Sequence, residues 1–321
     1  MFNLDYETVN NIIKTEIAND NVMNIIGICK KLLPLFDLIF KKCETLPEKR
    51  YEVELEDSIS LAMSYLKSSH PVYYDETKRM MDNNEIHIAD YSLDNAGCDS
   101  YTGEILLGNN RNISDGLTLI HELFHHFNLK PFNKYHQENT ISRELFGEAI
   151  SIAAELDFER NLEDKSLLKD ARKFEIDYIN DAIDCIRKIK VELVLIDLYN
   201  IYGKIDKEVI YKFILNNKDN VFGSIVIEEV ESVISNITSW GSNLKIPFNL
   251  KYAIGIIFGY YLADSIEIEY EKWNLIYDLN NKLYDLNFDE ILNKIYPDYD
   301  ENLLFECFYK HYEELKKATT I

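Results

Sequence analysis

The sequence predicts a mainly α-helical protein with a small antiparallel β-sheet beside one of its helices. Only 6 prolines and 11 glycines interrupt 321 residues, while Leu, Ile, Lys and Glu, which sustain helices, abound. Apolar residues recur at helical spacing, most clearly Leu117, Ile120, Leu123, Phe124 and Phe127, the mark of a helix with a buried face. Between residues 72 and 110 the period changes. Glu85-Ile86-His87-Ile88-Ala89 alternates, and Gly103-Glu104-Ile105-Leu106-Leu107-Gly108 is a short apolar run between glycines; both are strand signals.

A chain of this length with 46% hydrophobic residues buries a substantial core. It divides into a helical scaffold segment over 1–70 and a second domain over 71–321, or forms one continuous domain over 1–321. The formal net charge of −22 excludes nucleic acid and anionic membrane as main partners, since both require a basic surface. The five cysteines, Cys29, Cys43, Cys98, Cys185 and Cys307, are scattered and form no Cys-x-x-Cys pair, which fits a reduced, cytoplasmic setting. Met1-Phe2-Asn3-Leu4-Asp5-Tyr6-Glu7 has no basic start followed by an apolar block, so no secretory signal is expected. No uncharged apolar run approaches the roughly 20 residues of a membrane span.

Taken in order, residues 1–70 read as helices with turns near Leu33-Pro34 and Leu46-Pro47. The two strands follow, with His87 on the polar phase of the first and thus at the surface. Ser114 is the expected N-cap of the next helix, and Lys130-Pro131 its expected end. A further helix runs from about Ile141 to Asn161. Residues 165–245 read as helices, including the apolar stretch Val191 to Tyr202. From Glu267 the chain is acidic, tyrosine-rich helix, and Lys316-Lys317-Ala318-Thr319-Thr320-Ile321 frays. Gly255 and Gly259 are four apart, which predicts close helix packing.

The chemistry concentrates in His121-Glu122-Leu123-Phe124-His125. At 3.6 residues per turn, positions four apart project from one face about 40° apart, the geometry by which two imidazoles grip one zinc. Glu122, about 100° round from His121, flanks the pair, where it takes a proton from water instead of binding metal. The helix is otherwise apolar, and burying two histidines and a glutamate without partners is costly. One zinc per chain accounts for them.

Zinc in a catalytic site takes three protein ligands and keeps a fourth position for water. Glu144, Glu148, Ser151 and Glu155 are spaced four, three and four and form one polar stripe on the helix after the motif. A solvated face is the simplest account of such a stripe; the other is that it faces the metal. Glu144 and Glu148 are then both candidates, and spacing leaves the choice open.

Residues Glu104 to Asn110 and Ser114 to His125 together resemble the strand, turn and active-site helix of the oligoendopeptidase F and thimet oligopeptidase family of zinc peptidases. The segment Glu148-Ala149-Ile150-Ser151-Ile152-Ala153-Ala154-Glu155 is similar to that family's Glu-x-x-Ser-x-x-x-Glu. The resemblance implies a zincin-like fold, Glu148 as third zinc ligand, and Glu155 as the carboxylate that orients a ligand histidine. Pro247 to Gly255 resembles the family's tyrosine-rich helix, and there the resemblance implies transition-state stabilisation by Tyr252. Phe248 and Leu250 stand where the family has two more tyrosines, and Phe124 where it usually has glycine, which narrows substrate approach. The similarity covers residues 100–160 well and 245–270 weakly.

A zinc metallopeptidase acting on peptides or proteins is thus expected, with Glu122 as base. Strand Glu104–Gly108 would present its edge, through Leu107 and Gly108, to an extended peptide. A non-catalytic binding or scaffold descendant of the same fold is the alternative. His126 is expected to support the site or to be exposed, and His70, His136 and His311 to be ordinary residues.

Overall fold

In the computed structural model, residues 4–48, 50–92, 96–99, 102–135, 141–216, 227–239, 243–268, 273, 289–290, 293 and 300–320 are described. Among them the protein is mainly helical, with one three-stranded sheet. The chain falls into two units, Met1–Glu44 with Asp181–Ala253 and Thr45–Asn180 with Ile254–Ile321. Residue 70, the boundary considered from the sequence, lies within the second of them.

The first unit contains α1 (Tyr6–Glu16), α2 (Asp20–Lys42), the later part of α7 (Lys165–Tyr202), α8 (Lys207–Asn216), α9 (Ile227–Ser239) and the start of α10 (Ile246–Ile268). The turn expected at Leu33-Pro34 is absent, because α2 runs through Pro34. Proline costs a helix one hydrogen bond and some crowding, and here the buried face of Cys29, Leu32, Leu35, Phe36 and Ile39 continues across it and offsets that loss. Residues 43–48 then carry no regular structure, in keeping with the break at Leu46-Pro47. Lys190 is fully buried, with its ammonium 3.0 Å from Asp37 Oδ1, as a charge inside a core requires. Glu192 accepts the N–H groups of Lys245 at 2.8 Å and Ile246 at 2.9 Å, which satisfies donors at the start of α10. Although α10 is apolar on most sides, among the described residues no helix is long and apolar enough to cross a membrane.

The second unit opens with α3 (Ser58–Ser69) and α4 (Pro71–Asp82). Pro71 stands in the first turn of α4, where its missing N–H has no partner to lose. Next come β1 (Ile86–Ile88), β2 (Gly97–Cys98) and β3 (Ile105–Leu107), in the order β1-β3-β2. The sheet is mixed, which corrects the antiparallel expectation: β1 pairs β3 in parallel, Ile86 opposite Ile105, and β2 pairs β3 antiparallel, Cys98 opposite Ile105. The connection from β1 to β3 is long enough to bring the chain back in the same direction, and β2 forms within it. A turn closes β2 onto β3, with Gly103 N–H donating to Asp99 O at 2.8 Å and Gly103 at φ +75°, a conformation glycine adopts freely.

α5 (Ile113–Tyr135) carries the His-Glu-x-x-His motif and α6 (Ile141–Arg160) the polar stripe. α5 begins one residue before the expected cap: Asn112 accepts the Ser114 N–H at 2.8 Å, and Asp115 accepts from the backbone of Asn110 and Arg111 at 2.9–3.0 Å. Nor does Lys130-Pro131 end it, since the helix continues to Tyr135, Pro131 costing it one internal bond. The first part of α7, the rest of α10 and α11 (Glu301–Thr320) complete the unit.

Candidate metal centre

α5 and α6 build the centre between them. Four residues apart on α5, the Nε2 atoms of His121 and His125 lie 2.9 Å from each other, their rings inclined at 73°. Glu148 arrives from α6 and spans both, with Oε2 3.5 Å from His121 Nε2 and Oε1 3.4 Å from His125 Nε2. Zinc bonds of about 2.0–2.1 Å in a tetrahedron put ligand atoms about 3.3 Å apart. The three measured separations, 2.9, 3.5 and 3.4 Å, therefore suit a single ion, and two imidazoles with a carboxylate are donors zinc accepts. The residues present fit the metal.

The electrostatics agree. Burial would depress the His121 imidazole, but the Glu155, Glu148 and Glu122 carboxylates outweigh it and hold the group well above its ordinary value. Burial would raise Glu148, and the two histidines instead hold it well below the usual carboxylate range. The pocket thus stabilises positive charge close to a carboxylate that stays ionised.

The stripe on α6 is buried, not solvated: Glu148 is 2%, Ser151 0% and Glu155 4% exposed. Glu155 Oε1 lies 3.4 Å from His121 Nδ1, on the ring nitrogen away from Glu148. Tyr178 of α7 donates its hydroxyl to Glu155 Oε2. Tyr178 was not anticipated, because nothing in its own helix marks it. Glu144 lies on α6, but its side chain falls outside the described residues. Gly255 of α10 faces Glu148 so closely that an added Cβ would stand 2.4 Å from Glu148 Cβ; at Gly259 it would stand 2.7 Å from Ile152. The packing read from the two glycines is therefore present, against the ligand-bearing helix.

Glu122 is buried, and its charge is felt at Cys98 of β2. The Cys98 thiol is pushed up to about 12 by burial, with Glu122 and Asp99 adding to it. Phe124 packs against Tyr73 at 5.2 Å, Trp273 at 5.4 Å and His70 at 5.6 Å between ring centres, so its ring belongs to an aromatic core. His126 is buried, and its Nδ1–H donates to the Gly103 carbonyl at 2.8 Å, fastening the β2–β3 turn to α5. His70 Nε2–H donates to the Tyr65 hydroxyl oxygen at 2.9 Å, whose own proton goes to Asp157 Oδ2 at 2.6 Å, and the ring is structural. His87 is exposed, 3.7 Å from Glu104. His136 lies outside the described residues, and His311 belongs to a separate polar cluster.

Leu107, assigned with Gly108 to a peptide-binding edge from the sequence, closes β3, and Gly108 follows it. β3 is the middle strand, flanked by β1 and β2, and both residues are buried. Among the described residues the ladder with β2 pairs only Ile105 and Leu106, while Leu107 pairs Ile88 of β1; the outer edge of the sheet on that side belongs to β2. Tyr252 stands on α10 in the first unit, half-buried and edge-on to Phe248 at 4.8 Å. Comparisons of the chain with family models, with curated proteins and with solved structures find no match.

Proposed function

We propose that the protein is a zinc-dependent peptidase of zincin-like architecture, in which His121, His125 and Glu148 hold the metal and Glu122 is the general base. The observation that carries this is the Glu148 carboxylate, delivered by a second helix within 3.5 Å of both motif histidines. When bound, zinc supplies Lewis-acid polarisation of a carbonyl and makes water more acidic. Glu122 takes the proton from the attacking water and passes it to the leaving amine. Glu155, itself held by Tyr178, stands 3.4 Å from His121 Nδ1, where its carboxylate would favour the tautomer that leaves Nε2 as a donor to metal. An extended peptide adds along the outer edge of β2, where backbone pairing binds without reading side chains. The role that the resemblance implies for Tyr252 belongs to the same proposal, and loss of turnover without loss of metal in Tyr252→Phe tests it. A cytoplasmic setting does too, on the five free cysteines.

The rival reading is a non-catalytic peptide-binding or scaffold protein. Phe248 and Leu250, in place of two family tyrosines, favour it. Mass spectrometry of a peptide library incubated with zinc-loaded protein and with Glu122→Gln separates the two. The peptidase cleaves and the variant does not. Absence of cleavage by the zinc-loaded parent would leave the scaffold reading standing.

A further inference from the structure

The buried stripe of α6 runs on past Glu155 to Glu159, and beyond it lies a second cluster of ligand-type side chains. Cys307 and His311 are four apart on α11 and share its face, and Asp264 comes from α10. Each of the three offers one ligand atom, all within 4.8 Å of one another. This repeats, with different residues, the arrangement on α5 and α6: two ligands one turn apart on one helix, and a carboxylate from another.

We propose that Asp264, Cys307 and His311 form a second divalent-cation site of the zinc type, independent of the first. Asp264 Oδ2 lies 3.5 Å from Cys307 Sγ, and Oδ1 lies 3.1 Å from His311 Nε2. A tetrahedral zinc with a bond of about 2.3 Å to sulfur and about 2.0–2.1 Å to nitrogen and oxygen sets those edges near 3.6 and 3.3 Å. The supporting groups are also in place. Glu175 Oε2 stands 3.6 Å from His311 Nδ1, the carboxylate–imidazole pairing that metal-bound histidines commonly have. Arg160 holds Asp264 Oδ1 at 2.7 Å and orients the carboxylate.

Besides Arg160, Lys310 competes for the carboxylate, 3.4 Å from Asp264 Oδ2, but its side chain is 58% exposed and can turn to solvent. Binding through sulfur needs the Cys307 thiolate, so the thiol proton is released to water as the ion enters. A thiolate among the ligands selects zinc-class ions over calcium and magnesium. A cavity of about 370 Å³ adjoins the cluster, lined by Glu159, Arg160, Glu175, Asp264 and His311 among others, and leaves room for a fourth ligand. The site would clamp α10 to α11.

Cobalt(II) chloride titrated into the metal-free full chain tests this. Only a thiolate gives a sulfur-to-cobalt charge-transfer band in the near ultraviolet, and the α5–α6 centre has no sulfur. The parent should take up two cobalt ions and show the band, Cys307→Ser one ion without the band, and Glu148→Ala one ion with it. Uptake of a single ion by the parent, with the band and unchanged by Glu148→Ala, would support this site and count against the first. Should Cys307→Ser fail to fold, Asp264→Asn replaces it and should weaken the band-forming step at least tenfold. No band in the parent, a band that survives Cys307→Ser, or an undiminished affinity in Asp264→Asn overturns the proposal.

Discussion

Gly255→Ala should detach the metal before it unfolds the protein. The new methyl would lie 2.4 Å from Glu148 Cβ and 3.4 Å from its Cγ, whereas carbon atoms rest about 3.5–4.0 Å apart. α6 and α10 must then part by about 1 Å near the ligand, several times the ~0.2 Å within which metal–ligand distances are held. Overpacking costs roughly 1–3 kcal/mol, and replacing a helical glycine by alanine returns up to about 1 kcal/mol, so the metal-free protein loses only about 1 kcal/mol. Zinc affinity should fall about 10- to 100-fold, as for lost support of a ligand. Gly259→Ala is the control: its methyl meets Ile152 Cγ2 at 2.7 Å, one turn from the ligand, and should cost similar stability with a smaller loss of metal. Chelator competition gives the affinities, and thermal melts of the metal-free proteins give the stabilities. Unchanged zinc affinity in Gly255→Ala, or equal losses in both variants, refutes the link from Gly255 to the centre.

Glu122→Gln should abolish peptide cleavage while zinc content and circular dichroism match the parent, because the amide keeps the shape but accepts no proton; undiminished turnover would remove Glu122 from the mechanism. Glu148→Ala should weaken zinc binding far more than Glu144→Ala, since only the former reduces the site to two imidazoles; chelator competition giving the reverse order would shift the ligand by one turn. His70 is pushed down from 6.5 to about 4 by burial. With the folded value below the unfolded one, its contribution is complete above pH 6.5 and is lost as pH falls toward 4, on the order of 3 kcal/mol. Melts across that window should therefore be flatter for His70→Gln, and parallel curves would show that His70 does not titrate on unfolding.

What the sequence disclosed and what it hid follow from how far each signal reaches along the chain. The motif helix, the stripe on α6 and the span of α6 were legible because helical periodicity is local and the candidate ligands repeat every turn. Two features escaped because proline and cap rules describe isolated helices: α2 and α5 both run through a proline, and Asn112, not Ser114, caps α5. β2 is two residues long, too short for any alternation, and without it the middle strand passes for an edge. Tyr178 and Asp264 act through partners 23 and 47 residues away, a distance at which no sequence pattern connects them. Cys307 and His311 did carry a readable sign, their four-residue spacing, but each alone is ordinary.

His126 bears on how steady such a machine can be. Its neighbour His125 points to the metal centre, while His126 itself holds the Gly103 carbonyl at the root of β2. One helix therefore carries both the proposed metal ligands and the tether of the strand edge. When that helix sways, the two travel together and their separation is conserved, so vibration is common to both and drops out of the difference. Cutting the tether with His126→Phe would let the strand edge drift against the centre while the ligands stay in place.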